Sequence, residues 1–566
     1  MLTPPWRIHH HLLSRTDPVS LSDIESILLD SRGLSTDSDK HNFLNPPPPT
    51  LEDLRTLPGL SIKSLDQAVS EIKAAIEKKT PILIYGDYDC DGVSATAILY
   101  KAIARHTTLV HPFIPHRQHH GYGLSAVGIK KALQEVAARF TGAPLVITVD
   151  NGISAGLEIA ALQKAGSTVI VVDHHLPALP AGRQAARQAS RPTFPPSINI
   201  HSTLVCAATL SLLLASSLED SLQDYELASL ATVTDQVPLL GINRSLVFHG
   251  LKNIRRTKSL GLRTLIAAQI PPDTPLDTYH FGFIIGPRIN AAGRLDHALI
   301  ALRLLLTEDP ASARRLVERL DDINQARQDH TADHVAVAVS EFTVLSTLPP
   351  VLLTSSPDYH EGIIGLIAAK LSDTFKRPAV AVRVGDVLKG SARSVKGVDI
   401  TTLLKSLPID FASIGGHEQA AGFSLSREYL DLLKNTLNSL QLELPSPSLD
   451  IDLALNPSQL SLALFQLIAR FAPFGTDNPE PLLAISSPIK SLRLVGTSKQ
   501  HLQFRFDSPN ISGGIAFNRP DWFTQISPGS SFSLAFHLKH QIYQGNSQLS
   551  LQIRDISQVS LPDMRQ

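Results

Sequence analysis

The stretch that decides the fold is Pro81-Ile82-Leu83-Ile84-Tyr85-Gly86-Asp87-Tyr88-Asp89-Cys90-Asp91-Gly92, a short apolar run that passes directly into three alternating aspartates. Two further apolar runs have the same form: residues 145–149 are followed by Asp150, and residues 169–172 by Asp173-His174-His175. Short continuous runs rich in β-branched residues are typical of strands buried on both faces of a parallel sheet. Helical patterns separate these runs, so we predict an α/β fold.

The acidic residues at the ends of these runs predict a metal centre. Ligands of an open parallel sheet bind outside the carboxyl ends of its strands, and these ends would bring five aspartates and two histidines together. Unpaired carboxylates repel one another and are costly to bury, and divalent cations remove that cost. An oxygen-rich set with imidazole favours Mn²⁺ or Mg²⁺. Asp235, after another apolar segment, is a fourth candidate position.

Each motif also has a simpler interpretation when it is taken alone. An isolated Asp-x-Asp-x-Asp-Gly is usually a calcium-type or surface loop, a single aspartate after a strand is often a helix N-cap, and a histidine pair is more often structural. The presence of three such strand ends in one α/β domain favours the metal centre.

Composition limits the class of protein. The 566 residues include 51 basic and 52 acidic side chains, a net charge of −1, and 43% are hydrophobic, which excludes wholesale disorder. No apolar run approaches the ~18–20 residues of a membrane span, and no secretory signal is visible, so we expect no membrane partner. Two cysteines, Cys90 and Cys206, fit a reducing cytoplasm. A balanced total charge still permits a locally basic groove for nucleic acid.

The chain divides into five predicted segments. Residues 1–64, which include the run Asn45-Pro46-Pro47-Pro48-Pro49, form an N-terminal segment packed on the main body. Residues 65–309 form the metal-binding domain, 310–345 one long connecting helix, and 346–430 a smaller α/β domain. Residues 446–560 alternate in short strands and predict a β-barrel or sandwich, with Phe504, Phe506 and Phe536 in its core.

The motifs, taken in order, resemble those of the DHH phosphoesterase superfamily and, within it, the bacterial RecJ exonuclease family. The resemblance extends from about residue 65 to 554 and implies a DHH domain, a DHHA1 domain and an OB-fold in that order. The motifs that carry it are Gly86 to Gly92, Thr148 to Ile153, Asp173 to His175, Thr234-Asp235, Gly286 to Leu295, His360 to Gly365, Ser391 to Ser394, and Gly415 to Gly422.

The resemblance implies a role for each motif residue. The five residues that would hold a pair of Mn²⁺ or Mg²⁺ ions are Asp89, Asp91, Asp150, His174 and Asp235. Asp87 would be a further ligand or an orienting group, and His175 would lie near the scissile phosphate. The catalytic residues would then be Asp89, Asp91, Asp150, His174, His175 and Asp235. Asp150, at a central strand end, is our choice for the bridging ligand.

A second group of residues is expected to hold the nucleic acid. By resemblance, Ser391 and Arg393 receive a 5′-phosphate, and Arg117 lies beside the metal site. Arg288, Asn290 and Arg294 are expected to line the route between the domains. His417 either contacts phosphate or completes a hydrogen-bond network in the core.

The implied activity is 5′→3′ degradation of single-stranded DNA to 5′-mononucleotides in recombination and repair. A monomer that works with a helicase and a single-strand-binding protein is expected. Two alternatives remain at this point: an oligoribonuclease or cyclic-dinucleotide phosphodiesterase of the same superfamily, and a catalytically silent binding protein. The length of the chain and its OB-like tail favour a long single strand, and the complete set of acids disfavours a silent protein.

Overall fold

The computed structural model describes residues 5–13, 19–121, 123–177, 194–444, 448–508, 511, 513–543, 546–559 and 561. The chain forms two compact units. The large unit is Pro48–Pro445, and the small unit combines Met1–Pro47 with Ser446–Gln566.

The strands of the described residues make three sheets. In chain order they are β1 Trp6–His11, β2 Ile82–Tyr85, β3 Val110–Phe113, β4 Leu145–Val149, β5 Val169–Asp173, β6 Ile198–His201, β7 Leu352–Ser356, β8 Ala379–Arg383, β9 Val387–Arg393, β10 Ser413–His417, β11 Ala420–Ser426, β12 Leu449–Ala454, β13 Leu483–Val495, β14 His501–Phe506, β15 Gly513–Ala516, β16 Ser531–Tyr543 and β17 Asn546–Ser557.

The helices pack on these sheets, and one segment, His280–Ile285, is a π-helix. None of the described helices is both long enough and apolar enough for a membrane span. The α-helices are α1 Leu21–Asp30, α2 Asp37–Leu44, α3 Leu51–Arg55, α4 Ile62–Glu77, α5 Cys90–Ala104, α6 Arg117–His120, α7 Ala126–Ala137, α8 Gly156–Lys164, α9 Ala207–Glu219, α10 Tyr225–Thr234, α11 Gly241–Asn253, α12 Leu260–Gln269, α13 Gly286–Leu295, α14 Leu299–Leu306, α15 Pro310–Thr343, α16 Ile364–Phe375, α17 Ile400–Ser406, α18 Leu430–Ser439 and α19 Leu462–Ala469.

The first sheet of the large unit is parallel, in the order β3-β2-β4-β5-β6. Every residue of β2, β4 and β5 is buried, as expected of strands covered on both faces. Tyr85 pairs with Thr148, and Val149 with Val172, so the three strands end level with one another. This register brings the three acidic motifs to one edge of the sheet and confirms the predicted α/β class.

Helix α15 joins this domain to the second α/β domain. It begins with Pro310 after the N-cap Asp309, whose carboxylate accepts from two backbone N–H groups. Leu320, in its first half, belongs to the core of the first domain, whereas Phe342, near its end, belongs to the core formed with α16. The predicted long connecting helix is confirmed.

The second sheet has the order β10-β11-β9-β8-β7, in which only β7 and β8 pair in parallel. Ser391 and Arg393 lie near the end of β9, paired with β8 on one side and β11 on the other. The sheet therefore fixes the backbone of the predicted phosphate-binding residues on both sides.

The small unit contains a closed barrel. Strand β13 pairs with both β14 and β16, which closes the five-stranded ring β13-β14-β15-β17-β16. Phe504, Phe506 and Phe536 are buried in it, as predicted. The predicted tail domain is thus a β-barrel.

Of the predicted N-terminal segment 1–64, residues 1–47 belong to the small unit. Leu54 and Leu57, in the remaining part, are buried in the core of the large unit. Strand β1 extends the barrel sheet by pairing in parallel with β12. Ile24, Leu28 and Phe43 are buried in the same core as Phe471 of the C-terminal segment. An amphipathic helix has an apolar face that needs a partner, but its sequence does not specify which one.

Candidate active site

Backbone groups fix the acids of the first motif. The Asp89 carboxylate caps α5 and accepts from the N–H groups of Asp91 and Gly92, both at 3.0 Å. The two oxygens of Asp91 accept from the N–H groups of Ala207 and Ala208, at 2.8 and 2.7 Å, where α9 begins. A helix N-terminus stabilises negative charge, so these carboxylates are held in place without a bound ion.

Asp150 is the acid whose oxygen is left without a partner. It follows β4 with a φ of +61°, a left-handed conformation that is uncommon outside glycine, and is 2% exposed. Among the described residues its Oδ1 has no hydrogen-bond partner, and it lies 3.3 Å from His174 Nε2. Burying a lone carboxylate oxygen is costly, and a cation would supply the missing partner.

Two overlapping groups of side chains could each hold a metal ion. One is Asp150, His174 and His175, the other is Asp91, His174 and Asp235, and the ligand atoms within each group lie within 4.8 Å of one another. His174 Nε2 is 3.7 Å from Asp91 Oδ2 and 3.5 Å from Asp235 Oδ2. Carboxylate oxygens with imidazole nitrogen fit Mn²⁺, and the oxygen-rich balance also fits Mg²⁺.

The pKa values of the clustered acids are raised, as expected of buried carboxylates that repel one another. Burial, followed by the charge of Asp89, raises the pKa values of Asp87 and Asp91 to about 7. Burial and the charge of Asp91 raise the pKa of Asp235 to about 9. The pKa of Asp150 is also well above its usual range, for the same two reasons. A bound cation would remove this repulsion.

Asp173 and His175 form a pair that the sequence analysis did not assign. Asp173 Oδ1 lies 2.8 Å from His175 Nδ1, and the other oxygen accepts from the N–H of Ile153 at 2.9 Å. Burial opposes the charged ring, but the hydrogen bond to Asp173, together with the negative charges of Asp173, Asp235 and Asp87, outweighs it and raises the pKa of His175 to about 9. For His174, burial and then the charge of His175 lower the pKa to about 4. The place of Asp173 at the end of β5 could have suggested this role.

Helix α13 packs against the backbone of the first acidic motif, residues 86–92. Asn290 Oδ1 accepts from the N–H of Cys90 at 2.7 Å. A Cβ atom on Gly293 would lie 2.2 Å from the carbonyl oxygen of Tyr88, so only glycine permits this approach. The structure therefore places Asn290, predicted on the nucleic-acid route, against the backbone of the metal motif.

The other two predicted residues of α13 have different surroundings. Arg288 Nε lies 2.6 Å from Asp321 Oδ1 of α15 and its Nη1 donates to the Ile284 carbonyl. Arg294 donates to the carbonyl of Gly362 at 3.2 Å. Burial and then the charge of Arg117 lower the pKa of Arg294 to about 10.

Arg294 belongs to a cluster of guanidinium groups. Burial and the charge of Arg117 also lower the pKa of Arg393. In the part of the chain that the structure describes, no carboxylate lies within 4.0 Å of the guanidinium of Arg117, Arg294 or Arg393. Positive groups that are close together and lack acids attract an anion such as phosphate.

Ser391, Arg393 and the start of α16 form a cradle. A Cβ atom on Gly365, the second residue of α16, would lie 3.2 Å from both Ser391 Oγ and Arg393 Nη2. A helix N-terminus with a hydroxyl and a guanidinium beside it is suited to phosphate. His417 is exposed, and besides burial the charges of Arg393 and His175 lower its pKa, which relates it to both the cradle and the metal motifs.

The order of domains matches known families. The DHH family N-terminal domain matches residues 81–234, the DHHA1 domain residues 342–442, and the RecJ OB domain residues 451–555. The chain is 31% identical to the single-stranded-DNA-specific exonuclease RecJ of Escherichia coli, over 88% of this chain and 91% of that protein. The chain belongs to the RecJ family.

Other members of the RecJ family match this chain over most of its length, and one of known structure has the same fold. RecJ of Bacillus subtilis is 29% identical, over 98% of this chain and 70% of that protein. The crystal structure of Thermus thermophilus RecJ with Mn²⁺ matches with a TM-score of 0.79 and 27% identity, over 98% of this chain and 79% of that one. A second structure of that protein contains Mg²⁺. The predicted family and domain order are confirmed. The two structures of the Thermus thermophilus relative contain Mn²⁺ and Mg²⁺, respectively, which are the kinds of ion predicted from the sequence.

Proposed function

We propose that this protein is a metal-dependent exonuclease that degrades single-stranded DNA from its 5′ end. The observation that carries the proposal is the cluster around His174, where a RecJ-family chain brings Asp91, Asp150 and Asp235 together and leaves Asp150 Oδ1 without a protein partner. The curated relatives are named for single-stranded DNA, which supports this substrate.

Six side chains would hold two divalent ions, Mn²⁺ or Mg²⁺. When bound, such a pair activates water and neutralises negative charge on the phosphodiester. The residues proposed for this role are Asp87, Asp89, Asp91, Asp150, His174 and Asp235. His175 would act on the phosphate itself. Because Asp173 keeps its ring oriented and positively charged, His175 can donate a hydrogen bond to a phosphate oxygen.

The basic cluster and the cradle would select the end of the strand. Arg117 and Arg294 would hold phosphates that lead into the site, because their charges are not paired with acids. Ser391, Arg393 and the first N–H groups of α16 would bind a terminal 5′-phosphate, with His417 beside them. We assign Asn290 and Arg288 supporting roles in this arrangement, since each contacts protein.

The wider setting follows from the same proposal. Residues 65–309, 346–430 and 446–560 would act as metal-binding, end-binding and single-strand-binding domains. We propose a monomer that acts in recombination and repair and receives its strand from a helicase and a single-strand-binding protein. Cys90 and Cys206 are both free and buried, which suits the cytoplasm.

Digestion of labelled DNA tests the proposed function. We expect Mn²⁺ or Mg²⁺ to support release of 5′-mononucleotides from single-stranded 20-mers, and duplexes and dinucleotides to be degraded far more slowly. Asp150→Asn should lose nearly all activity, whereas the matched control Asp431→Asn, an exposed acid, should keep it. Activity that persists in EDTA, or cleavage confined to dinucleotides, would contradict the proposal, and the second result would favour an oligoribonuclease or cyclic-dinucleotide phosphodiesterase.

The 5′-phosphate cradle has its own test. Arg393→Gln removes the guanidinium but keeps a polar side chain of similar length. We expect it to reduce the preference for 5′-phosphorylated over 5′-hydroxyl strands by about tenfold or more, while Mn²⁺ affinity measured by calorimetry is unchanged. Equal losses on both kinds of strand would contradict the end-binding role.

A further inference from the structure

Two exposed aromatic residues, one just before the π-helix and one within it, stack on each other. Tyr279 is 57% exposed and Phe283 is 70% exposed, and their ring centroids are 5.2 Å apart with the planes at 20°. Phe281 and Ile285 of the same segment are each 1% exposed, so they supply its core packing. We call Tyr279 and Phe283 the aromatic pair. A π-helix inserted in helical structure is frequently a feature of functional sites.

The segment that carries the aromatic pair is packed against the end of α10. A Cβ on Gly282 would lie 3.7 Å from Val233 Cγ1, and a Cβ on Gly286 would lie 2.2 Å from Thr234 Cγ2. The next residue along the chain is Asp235, a member of the metal cluster. The segment also continues into α13, whose Asn290 contacts the first metal motif. Two elements that reach the metal motifs, α10 and α13, therefore adjoin the segment that carries the aromatic pair.

We propose that the aromatic pair is a stacking platform for a nucleobase of the single strand. This inference rests on the proposed function, since it names a contact for the same substrate. Two stacked rings with exposed faces can accept a third planar group, and base stacking on aromatic side chains tolerates any sequence.

The size of the aromatic pair favours a base over a protein partner. A large aromatic side chain buries about 150–250 Å². A stable protein interface needs roughly 800 Å² from each partner, well beyond what two such side chains supply. A second copy of the chain is therefore the less suitable occupant, and the test below detects it.

Alanine variants of the aromatic pair test the platform by binding. Tyr279→Ala, Phe283→Ala and the double variant would be compared with wild type in EDTA, which prevents cleavage, by fluorescence anisotropy with labelled dT20. We expect each single variant to weaken binding about fivefold or more, because a stacked base is lost. Phe283→Trp should bind at least as well as wild type. The matched control is Val344→Ala, whose side chain is 82% exposed on the large unit.

An abasic scan identifies the stacked base and completes the test. One abasic position in the 20-mer should weaken binding to the wild type as much as Phe283→Ala weakens binding of the intact strand. The same abasic position should not weaken binding to the double variant any further. With Mn²⁺ present, KM for the 20-mer should rise in the variants while kcat and Mn²⁺ affinity stay within twofold.

Three results would overturn the platform: unchanged affinity in the variants, additive losses in the abasic scan, or a wild-type dimer that the variants abolish. The last result would assign the surface to a second copy of the chain. Failure of wild type to degrade the 20-mer would contradict the proposed function alone, because the comparison in EDTA still decides whether the aromatic pair binds DNA.

Discussion

At the scale of single residues, the protein itself orients the acids of the metal cluster. Asp91 is held by two N–H groups of α9, and Asp89 by two of α5. None of the residues that the structure describes hydrogen-bonds the buried Oδ1 of Asp150, whose backbone is in a left-handed conformation. Strain and lost solvation at such positions persist when the surrounding structure supports them, and they are common at functional sites.

The Asp173–His175 pair leads to the first prediction. Asp173→Asn keeps the shape of the side chain but removes the negative charge that holds His175 protonated. We expect the pKa of His175 to fall and activity to drop about 10- to 100-fold, as for other residues that orient a site ligand. An NMR titration of the His175 ring measures the pKa, and pH–rate profiles measure the effect on activity. An unchanged ring pKa would contradict this role for Asp173.

A second prediction concerns pH and the stability of the metal-free protein. The pKa values of Asp235 and His175 are raised to about 9, so between pH 7 and 9 the folded state holds protons that the unfolded chain has released. The free energy of unfolding must therefore fall as the pH rises through this range. We expect the urea midpoint in EDTA to decrease from pH 7 to 9, and Asp235→Asn to flatten the decrease.

Saturating Mn²⁺ gives the converse control for this pH prediction. Metal binding requires ionised carboxylates, so the stabilisation by Mn²⁺ should increase from pH 7 to 9. A urea midpoint in EDTA that rises from pH 7 to 9 would show that the titration of Asp235 and His175 does not dominate the pH dependence of the free energy of unfolding.

Sequence reasoning identified side chains that the structure brings together at the strand ends, but not the residues that support them. Asp150 and His174 could be predicted because a parallel sheet brings successive strand ends together, whatever the details of packing. The contact of Asn290 with Cys90 joins residues 200 positions apart, and the pairing of Arg288 with Asp321 depends on how two helices cross. No local pattern specifies such contacts, so both residues were predicted on the nucleic-acid route.

At the scale of elements, α13 fixes the position of the metal motif. Its Asn290 accepts a hydrogen bond from the motif, and its Gly293 lets the two backbones approach closely. The same helix carries Arg294, which contacts the second α/β domain through Gly362. One helix therefore connects the metal motif to the domain that holds the phosphate cradle.

Glycine-to-alanine substitutions test this role of α13. In Gly293→Ala the new Cβ would lie 2.2 Å from the Tyr88 carbonyl, so the metal motif must move. We expect Mn²⁺ affinity, measured by calorimetry, to fall about tenfold or more. Gly156→Ala is the matched control at the start of α8, where nothing lies within 4 Å, and should leave affinity unchanged. Similar affinities in the two variants would contradict the supporting role of α13.

At the scale of the whole molecule, the two ends of the chain build one unit. The barrel itself could be predicted from alternating strands in the C-terminal sequence. The parallel pairing of β1 with β12 could not, because Ile8 meets Ile451 across more than 400 intervening residues and six residues of strand carry no information about their partner. The N-terminal part of this unit ends within the run of prolines after Asn45, where the large unit begins; the boundary predicted from the sequence lies between residues 64 and 65.

Removal of residues 1–47 is expected to unfold the small unit and leave the large unit intact. Ile24, Leu28 and Phe43 are buried in the small-unit core, and burying a large apolar side chain stabilises by roughly 1.5–3 kcal/mol. Losing all three would remove about 5 kcal/mol or more, comparable to the total stability of a small domain. Limited proteolysis of the truncated chain should therefore degrade residues 446–566 first. The fragment 48–445 should bind Mn²⁺ with the affinity of the full chain. A truncated chain as resistant to protease as the full one would show that the C-terminal segment folds without the N-terminal one.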